Sequence, residues 1–235
     1  MRGLMLSVNL PDPNFQRMEL VAEPRVEKGS STSLLQVSSW IELADPQYSQ
    51  LSTTPVDDDK ELEHFLAANK GQYRYDYVRL GCSFCPQNGE RFEKAFLSVT
   101  LKPDGPPPPE VPISWSLFPL TNYQTGKETT SAKIGASAQI LSAEIGGSSE
   151  IETRQYSLRG FREGKPNPYW ELYSNQSEPL VGSLRLHMVV RSAAASPTLG
   201  EVRLEAVISN RSFVVFRQKR PFDQTPSSQF RLPAA

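Results

Sequence analysis

Leu184-Arg185-Leu186-His187-Met188-Val189-Val190 and Val202-Arg203-Leu204-Glu205-Ala206-Val207-Ile208 set apolar residues against polar ones at every second position. A period of two belongs to a pleated strand with one buried face, because successive side chains leave a strand on opposite sides. The same pattern recurs along the chain. Leu35, Val37 and Ile41 share a face, as do Ala95, Leu97, Val99 and Leu101, and Ile134, Ala136, Ala138 and Ile140. Ile113-Ser114-Trp115-Ser116-Leu117 is another such run. Serial runs of this kind predict an all-β protein, an antiparallel β-sandwich of about ten to twelve strands.

One helix interrupts the strands, over 55–70. Thr54 serves as its cap, Pro55 opens it, and Asp57-Asp58-Asp59 fills an acidic first turn. Leu62, Phe65 and Leu66 form a narrow apolar stripe, and Gly71 stands where a helix stops. So short a stripe predicts a helix laid across an end of the sandwich. Tyr73, Tyr75 and Tyr77 then fall on one face of a strand, with Val78 and Leu80 on the other. Pro86-Gln87-Asn88-Gly89 predicts a turn, and 91–101 the return strand of a hairpin. The segment 102–112 holds Pro106-Pro107-Pro108-Pro109, a stiff spacer. It divides two subdomains, crosses between two sheets, or serves as a proline-motif ligand. The whole of 1–220 is expected to be one sandwich domain, and the Pro- and Ser-rich stretch 221–235 a flexible tail.

The chain has 235 residues, with 25 Lys and Arg against 26 Asp and Glu, for a net charge of −1. Nucleic-acid binders carry a basic excess or stripe, so none is expected here as a partner. The local basic stretch Arg211, Arg217, Lys219 and Arg220 reads as a charged edge strand. Leu4 to Leu10 is too short and interrupted for a signal sequence, and no stretch approaches the ~20 apolar residues of a spanning helix. The expected compartment is the cytoplasm.

Catalytic chemistry has few candidates. The two histidines, His64 and His187, sit beside no nucleophile elbow or glycine-rich loop, and read as surface or edge residues. Cys82-Ser83-Phe84-Cys85 ends a strand rather than opening a helix, and no second pair of soft ligands exists for zinc. The expectation is structural thiols and no metal, cofactor or catalytic residues. The acidic group Asp57, Asp58, Asp59, Glu61 and Glu63 lacks calcium-loop spacing. Gly146-Gly147 and Gly160 with Gly164 are turn glycines rather than a phosphate loop.

Binding chemistry has more. Tyr73, Tyr75, Tyr77, Tyr169 and Trp170 are candidate binding residues, because aromatic rows bring large contact area at low entropy cost. The competing reading is a small core beneath a sheet. A membrane partner enters only through the 130–161 hairpin, whose first strand has a lipid-compatible face but whose return strand carries Glu152 and Arg154. A carbohydrate site or an enzyme would need acids such as Glu150, Glu152 and Glu171 to converge.

Pro168-Tyr169-Trp170-Glu171-Leu172, Gly182, Leu184 with Leu186, and Met188-Val189-Val190-Arg191 form one further pattern. It resembles a Trp-x-Leu … Gly … Val-Val-Arg segment of poorly characterised β-rich proteins from microbial defence and conflict systems. The resemblance spans residues 156–191, with Trp170 plugging the core and Gly182 opening the next strand. It implies a non-enzymatic module working beside another protein, and carries over no catalytic residues; the lack of a catalytic constellation and the near-neutral charge point the same way, to an interaction module that serves as an accessory or regulatory subunit of a larger assembly.

Overall fold

The computed structural model describes residues 15–19, 39–51, 60–106, 110–125, 128–129, 155–174, 179–211, 217–222 and 225–234. They form an all-β protein of two antiparallel sheets and one short helix. In chain order the elements are β1 (Phe15–Glu19), β2 (Trp40–Ala44), β3 (Gln47–Gln50), α1 (Lys60–Asn69), β4 (Tyr73–Cys85), β5 (Arg91–Pro103), β6 (Ile113–Phe118) and β7 (Thr121–Thr125). Then follow β8 (Glu128–Thr129), β9 (Gln155–Phe161), β10 (Tyr169–Tyr173), β11 (Gly182–Ala193), β12 (Thr198–Arg211), β13 (Arg217–Pro221) and β14 (Ser227–Leu232). The first sheet has the order β1-β2-β4-β11-β6, with β3 also on β4. The second has the order β13-β12-β5-β10-β9-β7-β8, with β14 also on β12. This is the antiparallel sandwich that alternation predicts; short strands such as β3 and β7 carry too few residues to show a period and so are not legible in the sequence.

One core lies between the sheets. Val78, Leu80, Cys82 and Phe84 of β4 join Phe92, Ala95, Leu97, Val99 and Leu101 of β5 in a single buried cluster. Leu186, Met188 and Val190 of β11 and Val202, Leu204, Ala206 and Ile208 of β12 belong to the same cluster. The inward rows read from alternation are therefore the ones buried.

The expected β4–β5 hairpin is not a hairpin. The turn forms, with positive φ at Asn88 and Gly89 and a 2.9 Å bond from the Glu90 amide to the Gln87 carbonyl. But β4 pairs with β11 on one edge and with β2 and β3 on the other, while β5 pairs with β12 and β10. Both strands are central, so they meet face to face, with the Phe84 and Phe92 rings 5.4 Å apart. The connection from β5 to β6 likewise passes from the second sheet to the first. The core includes Leu101 before it and Leu117 after it.

Two further expectations change. Helix α1 lies not across an end of the sandwich but on the outer face of the first sheet, where Phe65 stacks on Trp115 of β6 at 5.5 Å. Gly71, at φ +92°, follows its end as read, whereas Thr54 to Asp59 lie outside the described residues. The stretch 221–235 is not a loose tail. β14 pairs with β12 from Thr198↔Leu232 to Arg203↔Ser227, and Phe230 and Leu232 are buried. Alternate apolar residues, Phe230 and Leu232, sufficed for a strand. Arg74 ties this strand to the other sheet: its Nε donates to Asp76 at 2.6 Å and its Nη1 to the Pro233 carbonyl, with both side chains buried. β13 is an edge strand, as the basic stretch suggested.

Gly200 faces Phe230 across the β12–β14 pair, and a Cβ added there would overlap the Phe230 ring. Gly200→Ala should therefore destabilise by about 1–3 kcal/mol through overpacking. Urea unfolding of the variant checks this, and shortening Phe230 to Leu in the same chain should recover part of the loss.

Candidate binding surfaces

The five candidate aromatics do not meet. Tyr73, Tyr75 and Tyr77 point outward from β4 in the first sheet; Tyr169 and Trp170 belong to β10 in the second. Tyr75 and Tyr77 are buried with Leu51 and Val189, and Leu66, Tyr73 and Trp115 pack against that group. Phe65 and Trp115 each lie edge-on to Tyr75, at 5.5 and 5.3 Å. This is the small core of the competing reading, formed because α1 covers that part of the sheet. Tyr73 is half-buried at its margin. Its hydroxyl donates to Glu110 at 2.8 Å, and Arg191 sits over its ring and pairs with Glu110 at 3.2 Å. The hydrogen bond to Glu110 leads in raising the Tyr73 phenol above its usual range.

His187 is not a surface histidine. It projects from β11 onto the same outer face, and a 2.6 Å hydrogen bond joins its Nδ1 to the Tyr77 hydroxyl, with the rings stacked 5.5 Å apart. Burial lowers its pKa to about 4, assisted by the Arg79 and Arg185 guanidiniums. It is therefore neutral at neutral pH. His64 is exposed on α1.

Trp170 is fully buried and cannot be a contact residue. Its indole N–H donates to the Pro119 carbonyl at 2.9 Å, just where the chain leaves β6 for β7. A Cβ at Gly160 would stand 3.3 Å from that indole nitrogen, a tight contact that the ring would have to relieve by shifting a few tenths of an ångström. Trp170 thus plugs the core and Gly182, at φ +81°, opens β11, as expected of these two residues.

Tyr169 does face outward, and the structure surrounds it with residues that sequence reasoning did not assemble. On the outer face of the second sheet it pairs with Phe161 of β9 and Ser98 of β5. Its ring stacks on Phe161 at 4.9 Å, and Arg159 covers the Phe161 ring at 4.8 Å. One strand over, the Lys94 ammonium sits 4.1 Å from the Phe96 ring centre and 4.8 Å from that of Tyr173, and pairs with Glu171 at 3.5 Å. The Tyr173 hydroxyl also donates to Glu171. Desolvation works to lower the Lys94 pKa, but bonds to Tyr173 and Glu171 outweigh it, and the ammonium stays charged. Phe96, Phe161, Tyr169 and Tyr173 are all half-buried. The one signal that could have found them was aromatics at the polar beat of their strands.

The remaining candidates separate. Cys82 is buried in the core and its thiol is pushed up to about 12 by burial, the opposite of what a redox pair requires; Cys85 is half-buried. Glu171 serves Lys94 and Tyr173, while Glu150 and Glu152 lie outside the described residues, as do Asp57 to Asp59 and residues 130–154 of the membrane hairpin. The described part of that hairpin, β9, lies between β10 and β7 in the second sheet. Among the described residues no helix is long and apolar enough to cross a membrane, and no group of three or more His, Cys, Asp or Glu is placed to hold a metal ion.

No family model matches the chain, and no curated protein matches it. Among solved structures, the membrane-inserted form of the Clostridium perfringens NetB toxin is similar over 82% of this chain and 89% of its own, at 8% identity and a TM-score of 0.30. A structure described as a pore forming protein is similar over 95% of this chain and 94% of its own, at 8% identity and a TM-score of 0.28. Likeness this distant carries no argument about function.

The lowered His187 pKa makes a stability prediction. An unfolded histidine takes a proton near pH 6.5, but folded His187 only near 4. Between those values the unfolded chain binds more protons, so stability should fall as pH drops from about 6.5 to about 4. The full effect is at most about 3 kcal/mol, and less after solvent screening. Urea titrations at pH 7 and 4.5 should show a smaller acid loss in His187→Gln than in the natural chain.

Proposed function

We propose that this protein is a non-enzymatic interaction module that docks a protein partner on the outer face of its second sheet. The observation that supports this most is the layer of Phe161, Tyr169, Phe96 and Tyr173 interleaved with Arg159 and Lys94. Tyr, Phe and Arg are the residues enriched in protein contacts, and side chains already held against one another lose little freedom on docking. Among the described residues the one helix covers the other sheet.

The stacking also weighs against a sugar. A pyranose needs an open ring face, whereas the facing sides of Phe161 and Tyr169 are turned to each other and the Phe96 face carries the Lys94 ammonium. The edges of these rings and the cations between them suit a polypeptide surface of mixed polarity. The lack of a catalytic constellation in the sequence supports an accessory subunit, and the resemblance over residues 156–191 supports a place in microbial defence.

Affinity capture of the tagged chain from its native host tests the reading. A stoichiometric protein should be retained by the natural chain and by His64→Ala on the exposed side of α1. It should be reduced about tenfold or more by Tyr169→Ala or Phe96→Ala, with thermal midpoints nearly unchanged. Tyr75→Ala and Trp170→Ala should instead lower the midpoint, because they empty packed sites. Capture that ignores the sheet-face substitutions would sink the assignment, and dye release from liposomes by the same preparations would put the membrane-active alternative in its place.

A further inference from the structure

β6 ends the first sheet: β11 pairs with one of its edges, and among the described residues no strand pairs with the other. An edge strand offers a row of backbone donors and acceptors to any further strand, and proteins commonly blunt it with a charge. β6 carries none. Between Pro112 and Pro119 run Ile113-Ser114-Trp115-Ser116-Leu117-Phe118, six residues without charge, proline or glycine and rich in strand formers. A segment of this kind pairs readily with an identical copy of itself. A bulge at Trp115, where the pairing steps from Val189↔Ser116 to Val190↔Ser114, bends the edge. The Ser114 and Leu117 amides on either side of it still point away from β11.

What meets those two amides comes from the other sheet. The β9–β10 loop turns through Arg162 and Gly164, at φ +63° and +75°, and closes with a 3.1 Å bond from the Lys165 amide to the Arg162 carbonyl. Ser114 bonds to this loop as it would to a neighbouring strand. Its amide donates to the Lys165 carbonyl at 3.0 Å, and its carbonyl accepts from the Gly164 amide at 2.6 Å. Its hydroxyl donates to the Arg162 and Lys165 carbonyls at 3.2 and 3.0 Å. Three residues along, a side chain takes over from the backbone: the Glu163 Oε1 accepts from the Leu117 amide at 3.0 Å. Beyond the turn, the Pro166 and Pro168 carbonyls accept from the Leu101 and Val99 amides of β5 at 2.7 and 2.9 Å. The loop is thus stitched to a strand of each sheet.

We propose that the 162–165 loop is a strap that holds β6 out of pairing with the β6 of a second copy of this chain, with the Glu163 carboxylate as its clasp. A second copy is the occupant because an uncharged six-residue segment finds its best match in itself. A two-fold antiparallel β6–β6 pair would join two first sheets into one. Arg162 carries a side chain at positive φ, a conformation that works against the turn, so the strap is held by its bonds to β6 and β5 rather than by its own preference. The contact uses an edge of the first sheet and stands apart from the docking layer on the second.

Sedimentation velocity and amide hydrogen exchange by NMR on the full chain test this. The natural chain and Glu163→Gln, which keeps the accepting Oε1, should stay monomeric as concentration rises. In dilute solution Glu163→Ala should speed exchange of the Leu117 amide about tenfold or more. Concentrated, the same variant should associate into dimers, and the Leu117 amide should become protected again. Gly164→Ala loosens the strap without touching the clasp, because it strains the turn at φ +75°, and should act in the same direction. Adding Ser116→Lys to Glu163→Ala should abolish the dimer, since like charges then meet across the pair. Glu163→Ala and Gly164→Ala chains that stay monomeric although the Leu117 amide has opened would overturn the proposal. So would Leu117 exchange unchanged in both variants, association that leaves that amide open, or a natural chain that associates as readily as Glu163→Ala.

Discussion

Phe84 of β4 and Phe92 of β5 meet across the gap between the sheets, and around them the inward residues of β4, β5, β11 and β12 close into one buried cluster. Each fully buried aliphatic or aromatic side chain in that cluster contributes about 1.5–3 kcal/mol through removal from water. The chain is wound to complete it. From β4 to β5, from β5 to β6, from β6 to β7, from β10 to β11 and from β11 to β12, it passes from one sheet to the other. The crossings from β4 to β5 and from β11 to β12 place new apolar rows opposite existing ones. The four longest strands, β4, β5, β11 and β12, all contribute such rows and occupy inner positions of their sheets.

Once the inner faces are committed to each other, the described strands have their outer faces left for recognition, and the two outer faces are finished differently. On the first sheet, α1 lays Phe65 and Leu66 over Tyr75, Trp115 and their neighbours, so aromatics at outward positions become a second, smaller core. On the second, the outward aromatics keep partial contact with water and order themselves against Lys94 and Arg159. The same kind of residue at the same kind of position thus has opposite roles, decided by what lies above it. The corner between the sheets adds a polar tie: the Trp170 indole on the Pro119 carbonyl fixes where β6 ends and β7 begins.

The period-two runs determined the fold class and the identity of the inward rows, because a strand exposes its two faces at alternate residues whatever its neighbours are. Local backbone chemistry determined the turn at Asn88-Gly89 and the end of the helix before Gly71, since positive φ is a property of single residues. Tertiary structure alone decided the rest. Alternation says which residues share a face but not which strand lies alongside, so β4 and β5 could be read as a hairpin although both of their edges belong to other strands. It also cannot say which outward face a helix will cover, and so could not separate Tyr75 and Tyr77, which are buried, from Tyr169, which is not; Trp170 is buried on the inward face, in the core between the sheets. Coverage and lateral pairing are contacts between residues far apart in the chain, and a one-dimensional pattern holds no record of them.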